Sequence, residues 1–367
     1  MISYVGNGFN MSAEDKKKHR EAALKAWRTI KRQKREKATK DVQKLTEFIK
    51  PEAMQKIKHP EISESYELIE PAWNGNRIVV PFHKTPESIA CGMFWELRWA
   101  YGCPLDCSYC YLRGTTRGKM RPQYVRIDHV LEALDEAFTK IRSPSIFNAG
   151  ELSDALMNPK MMAQIVERFE QQSKHKIYLL TKFGVRNIEF LLDQPRKQVI
   201  CGWSINAPAV AKLWEKAAPS PESRIEAAKQ VSIAGYDTRI RIDPIFPIAD
   251  WKSHYEKLLD QILSSLNPNR IILGTPRGLW KTIKYAKEAC VDMSWVQFFK
   301  EDTGWGKKLA FEQRKKIYEF LYEKLDSAGY PLSRVSICKE TVEMWDALRL
   351  RCIPGVCSCY GKSALQT

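Results

Sequence analysis

Cys103, Cys107 and Cys110 lie in Tyr101-Gly-Cys-Pro-Leu-Asp-Cys-Ser-Tyr-Cys-Tyr111 at the spacing C-x3-C-x2-C. Three thiolates so placed can hold three corners of a [4Fe-4S] cluster. Clusters that only carry electrons are usually held by four cysteines, so a closed group of three leaves one iron open to a ligand. An open iron is a reaction site. Two blander readings use the same residues: part of a zinc site, whose usual signature is two C-x2-C pairs, or buried thiols without chemistry. A disulfide fits less well, because no secretory signal is recognisable and ten cysteines without one suit a reduced, cytoplasmic protein.

The cysteines need a frame that follows a strand and precedes a run of alternating elements. A strand pattern at 92–100 leads into them. Strand patterns then fall at 145–149, 176–181, 198–206, 238–243 and 270–274. Helical patterns alternate with them at 129–141, 159–172, 186–192, 221–234, 251–266 and 279–289. Strict alternation with short connections predicts a parallel sheet covered by helices. Six units fit an α/β partial (βα)6 barrel with its site at the C-terminal ends of the strands. Beyond it, 311–328 reads as a helix and 333–338 as a strand. The expected organisation is a basic N-terminal extension (1–59), a core including its lead-in (60–300), and a C-terminal helix, strand and Cys-containing tail (301–367).

The cysteine spacing, with an aromatic residue before the third cysteine, resembles the radical S-adenosylmethionine (SAM) enzymes. The likeness implies that the open iron chelates SAM, that cleavage of SAM yields a 5'-deoxyadenosyl radical, and that the radical removes a hydrogen atom from the substrate. Gly150-Glu151, at the end of the second strand, resembles the Gly-Gly-Glu element that holds the SAM amino group. Within the superfamily the chain is most similar to the spore photoproduct lyase group, which acts on modified thymine in DNA. That likeness runs through Cys107-Ser-Tyr-Cys-Tyr-Leu112, Ser153-Asp154, Leu180-Thr-Lys-Phe183 and Trp203-Ser-Ile-Asn206. It continues in Pro219-Ser-Pro-Glu-Ser-Arg-Ile-Glu-Ala-Ala228 and Ala234-Gly-Tyr236. It implies that Glu151, Ser153, Lys182 and Ser204 contact SAM, that Tyr109 lies near the adenine, and that Tyr109 and Tyr111 relay a hydrogen atom back to SAM. For Tyr111 ordinary aromatic packing stays open.

Two departures stand out. Lyases of the group carry a hydrogen-donating cysteine where this chain has Glu151, which argues against lesion repair in its known form. In the fifth strand, Thr238-Arg-Ile-Arg-Ile-Asp243, period-two alternation puts Arg239, Arg241 and Asp243 on one face. Helices cover the outer face, so the charges must line the lumen and are candidate substrate contacts. The alternative is that Arg241 and Asp243 merely pair with each other. Two lumen cations opposite one Asp call for a further anion, from cofactor or substrate.

The same alternation turns Ser204, Gly202 and Ile200 inward and Cys201 outward. Cys91 and Cys290 have no partner by spacing. Cys338, Cys352, Cys357 and Cys359 could ligate a second iron–sulfur cluster or a zinc ion, Cys359 could instead reach into the barrel as a hydrogen donor, or none of them has chemistry.

Charge points to the partner. The chain carries a net +16 and a pI near 9.3. Residues 11–50 hold fourteen Lys or Arg against six Asp or Glu, a net of +8. From Ser12 onward this stretch reads as a helix with a thin apolar stripe. It is either a solvated surface helix or a basic arm that tracks phosphates. No apolar run approaches the roughly 20 residues a bilayer needs. The expectation is a cytoplasmic radical SAM enzyme that modifies or rearranges a thymine derivative in DNA, served by an external electron donor such as flavodoxin or ferredoxin. Such a base would have to be flipped out of the stack. Alternatives are repair of a thymine lesion, radical chemistry on RNA or a peptide, and a non-enzymatic iron–sulfur nucleic-acid-binding protein.

Overall fold

The computed structural model describes residues 73–82, 85–350, 357, 359 and 360. The basic stretch at 11–50, the lead-in before residue 73 and Cys352 lie outside them.

Eight strands form the central sheet: β1 (Val79–Phe82), β2 (Phe94–Leu97), β3 (Ile146–Asn148), β4 (Lys176–Thr181), β5 (Val199–Ser204), β6 (Asp237–Ile242), β7 (Arg270–Leu273) and β8 (Val335–Ile337). They are hydrogen-bonded in sequence order. β1 is antiparallel to β2, and β2 to β8 are parallel throughout. Among the described residues no ladder joins β1 to β8, so the barrel is partial. The parallel strands are largely apolar on both faces, as a sheet covered on one side and filled on the other requires, with β6 carrying charge on its inner face. Ile177, Leu179, Cys201 and Trp203 pack outward into the helix layer, whereas Tyr178 and Ile200 face inward against Phe94 and Tyr360.

The helices start where the sequence supplies caps. Asn158 accepts from Met161 N (3.2 Å) ahead of Pro159–Glu170, and Ser220 accepts from Ser223 N (3.3 Å) ahead of Pro221–Ile233, each with proline in the first turn. Met162, Ile165, Val166 and Phe169 form the buried face of the first.

Three differences from the sequence expectation matter. The helix expected at 186–192 is two 3-10 turns, Val185–Asn187 and Glu189–Leu191. Asn187 is tied to Leu156 O (2.8 Å), and Pro195 follows too soon for a helix to extend. The strand expected after the barrel joins it as β8, because Ile271, Ile272 and Leu273 pair with Val335, Ser336 and Ile337. Finally, Pro208–Trp214, Val342–Ala347 and the short hairpin Glu301–Asp302 with Lys307–Lys308 were not expected.

Candidate active site

The C-terminal ends of the strands surround a cavity of about 550 Å³. Cys103 and Cys110 form part of its wall, and Cys107 packs against them from behind.

The cysteine loop is fixed by backbone bonds before any cofactor is considered. Gly102 N donates to Leu152 O (3.0 Å), Cys103 N to Met120 O (2.8 Å) and Ser108 N to Trp214 O (2.9 Å). Gly102 adopts φ +80°, and a Cβ there would lie 2.7 Å from Met120 O, so the turn into the loop requires glycine. The buried Arg113 ties the loop from beneath, through Cys107 O (3.2 Å) and Asp106 (2.8 Å). Burial pushes all three thiols up. They would stay protonated alone and give up their protons on binding a metal.

Tyr109 leads to a group that sequence reasoning missed. Its hydroxyl donates to Glu215 Oε1, a fully buried carboxylate that also pairs with Arg224 (2.5 Å) and Lys182 (3.8 Å). Burial alone would raise the Glu215 carboxyl, but Lys182 and Arg224 override it and hold it below its ordinary value. Arg224 lies in the first turn of Pro221–Ile233, within a stretch that resembles the lyases, and its full burial calls for an anion, which Glu215 supplies. Lys182 Nζ donates to Ser204 Oγ (2.6 Å) and lies 5.8 Å from the Tyr109 ring centre. One network therefore joins Tyr109, Lys182, Ser204, Glu215 and Arg224. Asp154 holds the neighbouring strand end in place, accepting from Thr181 Oγ1 (2.6 Å), Lys182 N (2.7 Å) and Leu156 N (3.0 Å).

Tyr111 donates to Glu151 O. The Glu151 carboxylate faces the cavity between Lys339 (3.3 Å) and Asn148 Nδ2 (3.3 Å). Ser153 Oγ is buried beside it with no hydrogen-bond partner, a cost that a bound ligand could relieve. An orphaned hydroxyl, three grouped thiols and the Lys182–Ser204 pair on one cavity fit a cluster with SAM.

The charged strand β6 departs from expectation. Arg239 does not reach the cavity. It forks onto Asp237 (2.6 Å) and donates to Cys359 O (2.7 Å) and Tyr360 O (2.8 Å). The strand supplies two anions rather than one, because Asp237 opens it, and Arg239 holds the tail instead of a substrate. Arg241 and Asp243 do line the cavity and pair with each other (2.7 Å). Asp243 is shared with Arg277 (3.7 Å), whose Nη1 is buried without a partner. Arg277 and Lys339 lie 5.9 and 5.6 Å from the Trp305 ring centre.

The tail brings Cys357 and Cys359 to the same cavity, with Cys338 from the end of β8 and Cys91, for which spacing had shown no partner. Cys357 packs with Cys338 and Cys359, and it also lies with Cys91 against the cluster around Phe82, Phe94 and Tyr360. Bonds from Cys338 and Cys357, with Arg241 beside it, hold the Cys359 thiol below its ordinary value. Among the described residues, no three Cys, His, Asp or Glu side chains converge on a point that a single metal ion could occupy.

The sequence profile of the spore photoproduct lyase family matches residues 84–272, just over half of the chain. Spore photoproduct lyase of Clostridium acetobutylicum is 30% identical over 186 residues, 48% of this chain and 54% of that protein. The Bacillus subtilis (strain 168) enzyme is 30% identical over 179 residues, 47% and 52% of the two chains. The match thus spans about half the length of these relatives. A solved spore photoproduct lyase complexed with dinucleoside spore photoproduct superposes with a TM-score of 0.56 at 19% identity, covering 66% of this chain and 75% of that one. A mutant of that lyase, solved with bound AdoMet and the same dinucleoside, gives the same TM-score over 67% and 76%. These superpositions establish the shared fold, and the profile match shows that the chain belongs to the spore photoproduct lyase family of radical SAM proteins.

Proposed function

We propose that this protein is a radical SAM enzyme that isomerises or rearranges a thymine derivative in DNA. Cys103, Cys107 and Cys110 would each ligate one iron of a [4Fe-4S] cluster. When bound, the cluster and SAM would supply one-electron cleavage and a carbon radical able to abstract hydrogen. The chain's own residues do the positioning. Glu151, Ser153, Lys182 and Ser204 would hold SAM, and the Glu215–Arg224 pair fixes Lys182 and Tyr109 relative to each other. Tyr109 and Tyr111 are the candidate hydrogen relay, since both hydroxyls are anchored beside the cavity. Arg241 and Asp243, joined by Arg277 in place of Arg239, would meet a polar or charged group on the base. A flavodoxin- or ferredoxin-like donor in the cytoplasm would deliver the electron. Among the described residues no helix is long and apolar enough to cross a membrane.

The observation that carries this reading is that one cavity joins Cys103 and Cys110 of the triad and the Lys182–Ser204 pair to a wall of charged side chains. Family membership favours a second reading, repair of a thymine lesion. Glu151 weighs against it, standing where the resemblance implies the hydrogen-donating cysteine. The test is anaerobic incubation of reconstituted protein with dithionite, SAM and candidate DNA, followed by nucleoside mass spectrometry. 5'-Deoxyadenosine should form with a base of altered retention time. Reversal of dinucleoside spore photoproduct would favour repair, and 5'-deoxyadenosine from the Cys107→Ala protein would refute both.

A further inference from the structure

Four cysteines outside the triad meet at the cavity from three distant parts of the chain, each placed by its own element. Cys91 follows the short strand Ile89–Ala90, which pairs with Glu340–Thr341 and so lies beside the end of β8. Cys338 closes β8 through Cys338 N to Leu273 O (2.8 Å). Cys357 and Cys359 arrive on the tail that Arg239 grips by the carbonyls of Cys359 and Tyr360. Cys338, Cys357 and Cys359 pack together, and Arg241 donates to two of them, Cys338 (2.7 Å) and Cys359 (3.8 Å).

Buried single thiols behave as small hydrophobic groups. Four gathered around one cavity, two of them bonded to a guanidinium, are placed as a ligand set would be. The surrounding charge points the same way. Arg98, Lys182, Arg241, Arg277 and Lys339 stand against Glu96, Glu151, Asp154 and Asp243, five cations to four anions around one cavity. An anionic centre would offset the excess.

We propose that Cys91, Cys338, Cys357 and Cys359 ligate a second iron–sulfur cluster, closed by four cysteines. A cluster is favoured over a lone zinc ion because each cysteine of a [4Fe-4S] centre binds a different iron. Its sulfurs must be grouped but need not converge on one point, and among the described residues none do. The set is complete without Cys352. With no iron left open, this centre would not bind SAM. It adds a group to the reaction proposed above but can be tested independently of it.

The test is metal analysis of the anaerobically reconstituted full-length chain. With Cys103→Ala, Cys107→Ala and Cys110→Ala combined, about four irons and four sulfides per chain should remain, half the wild-type load. The reduced protein should give an electron paramagnetic resonance signal that SAM does not move. Adding Cys338→Ala and Cys359→Ala should abolish it. In the converse protein, with Cys338→Ala and Cys359→Ala alone, the load should halve and the remaining signal should respond to SAM. A triple variant of wild-type circular dichroism that binds no iron would overturn the proposal, as would zinc in place of iron or a full iron load in the converse protein. Iron lost in Cys352→Ala but kept in Cys91→Ala would overturn the ligand set. If wild type fails to cleave SAM while the triple variant keeps its iron, the proposed reaction fails and the second cluster stands.

Discussion

Replacing Glu215 should destabilise the protein and disturb its chemistry together. Its side chain and that of Arg224 are fully buried and 2.5 Å apart. Removing one partner of such a pair costs about 3 to 5 kcal/mol. The low end applies, because Arg224 keeps Pro219 O (2.8 Å) and Ser204 O (3.2 Å) and Lys182 keeps Ser204 Oγ (2.6 Å). Glu215→Ala should therefore lose about 3 kcal/mol. Glu215→Gln retains the shape and a hydrogen bond of about 1 kcal/mol, and should lose about 2. With roughly 300 ordered residues, unfolding entropy near 2.1 cal/mol/K per residue converts these into Tm drops of about 5 and 3 °C. Anaerobic calorimetry reads them directly. Because the folded carboxyl lies below its ordinary 4.5, the contribution is fully present above that pH and is lost as pH falls through the folded value. Replacing both partners, Glu215→Leu with Arg224→Leu, should recover part of the loss. A Glu215→Ala protein melting within a degree of wild type, or a double variant at the sum of the two singles, would refute the assignment of a coupled pair.

Three further outcomes follow from the same structure. His175 is buried against Phe138 at 5.6 Å between ring centres, and burial, with Lys174 beside it, pushes its pKa down to about 4. The unfolded chain takes up a proton below about 6.5 and the folded chain does not until about 4, so stability falls across that window by up to about 3 kcal/mol. His175→Leu should flatten Tm against pH there, and an unchanged slope would exclude the effect. Arg239→Met should leave two buried tail carbonyls without donors, at about 1 to 3 kcal/mol each. Limited proteolysis should then cut near residue 350 at SAM affinity equal to wild type, and reduced SAM affinity would place Arg239 in the cofactor site after all. Deleting residues 1–50 should weaken DNA binding and reduce the slope of log K against log salt by about 0.9 per lost phosphate contact. An identical slope would make the stretch a solvated helix.

The sheet was legible because most of its parallel strands are short apolar runs bounded by turn residues, and period two then sorted Ile200 inward and Cys201 outward without ambiguity. The candidate cofactor residues were legible because they sit in short motifs at strand ends. What escaped was whatever depends on partners distant in sequence. Glu215 carries no motif, and its meaning comes from Arg224 and Tyr109, the latter 106 residues away. Cys91 gains its partner only when the pairing of Ile89–Ala90 with Glu340–Thr341 brings two ends of the chain together. Arg239 was misjudged because alternation sets the face of a side chain and not what lies over it. The tail occupies that place.

The family profile ends at residue 272, yet the cavity does not. Arg277, Trp305, Cys338, Lys339, Cys357 and Cys359 all line it and all lie beyond that point. The cavity is thus built from two sources, a cysteine-bearing half that resembles the lyases and a charged, thiol-rich half that lies outside the match. In the reading proposed above, radical formation would need the first half alone. Which base enters, and what happens to its radical afterwards, depends on the second, since discrimination comes from contacts made to the reacting substrate. A buried donor left unpaired costs about 1 to 3 kcal/mol, so Arg277 Nη1 is better explained by a ligand acceptor than by packing. An anionic or strongly polar group on the substrate would supply that acceptor. The departure at Glu151 and the unpaired Arg277, linked through Lys339 and Trp305, therefore support the proposed reading of a more polar base.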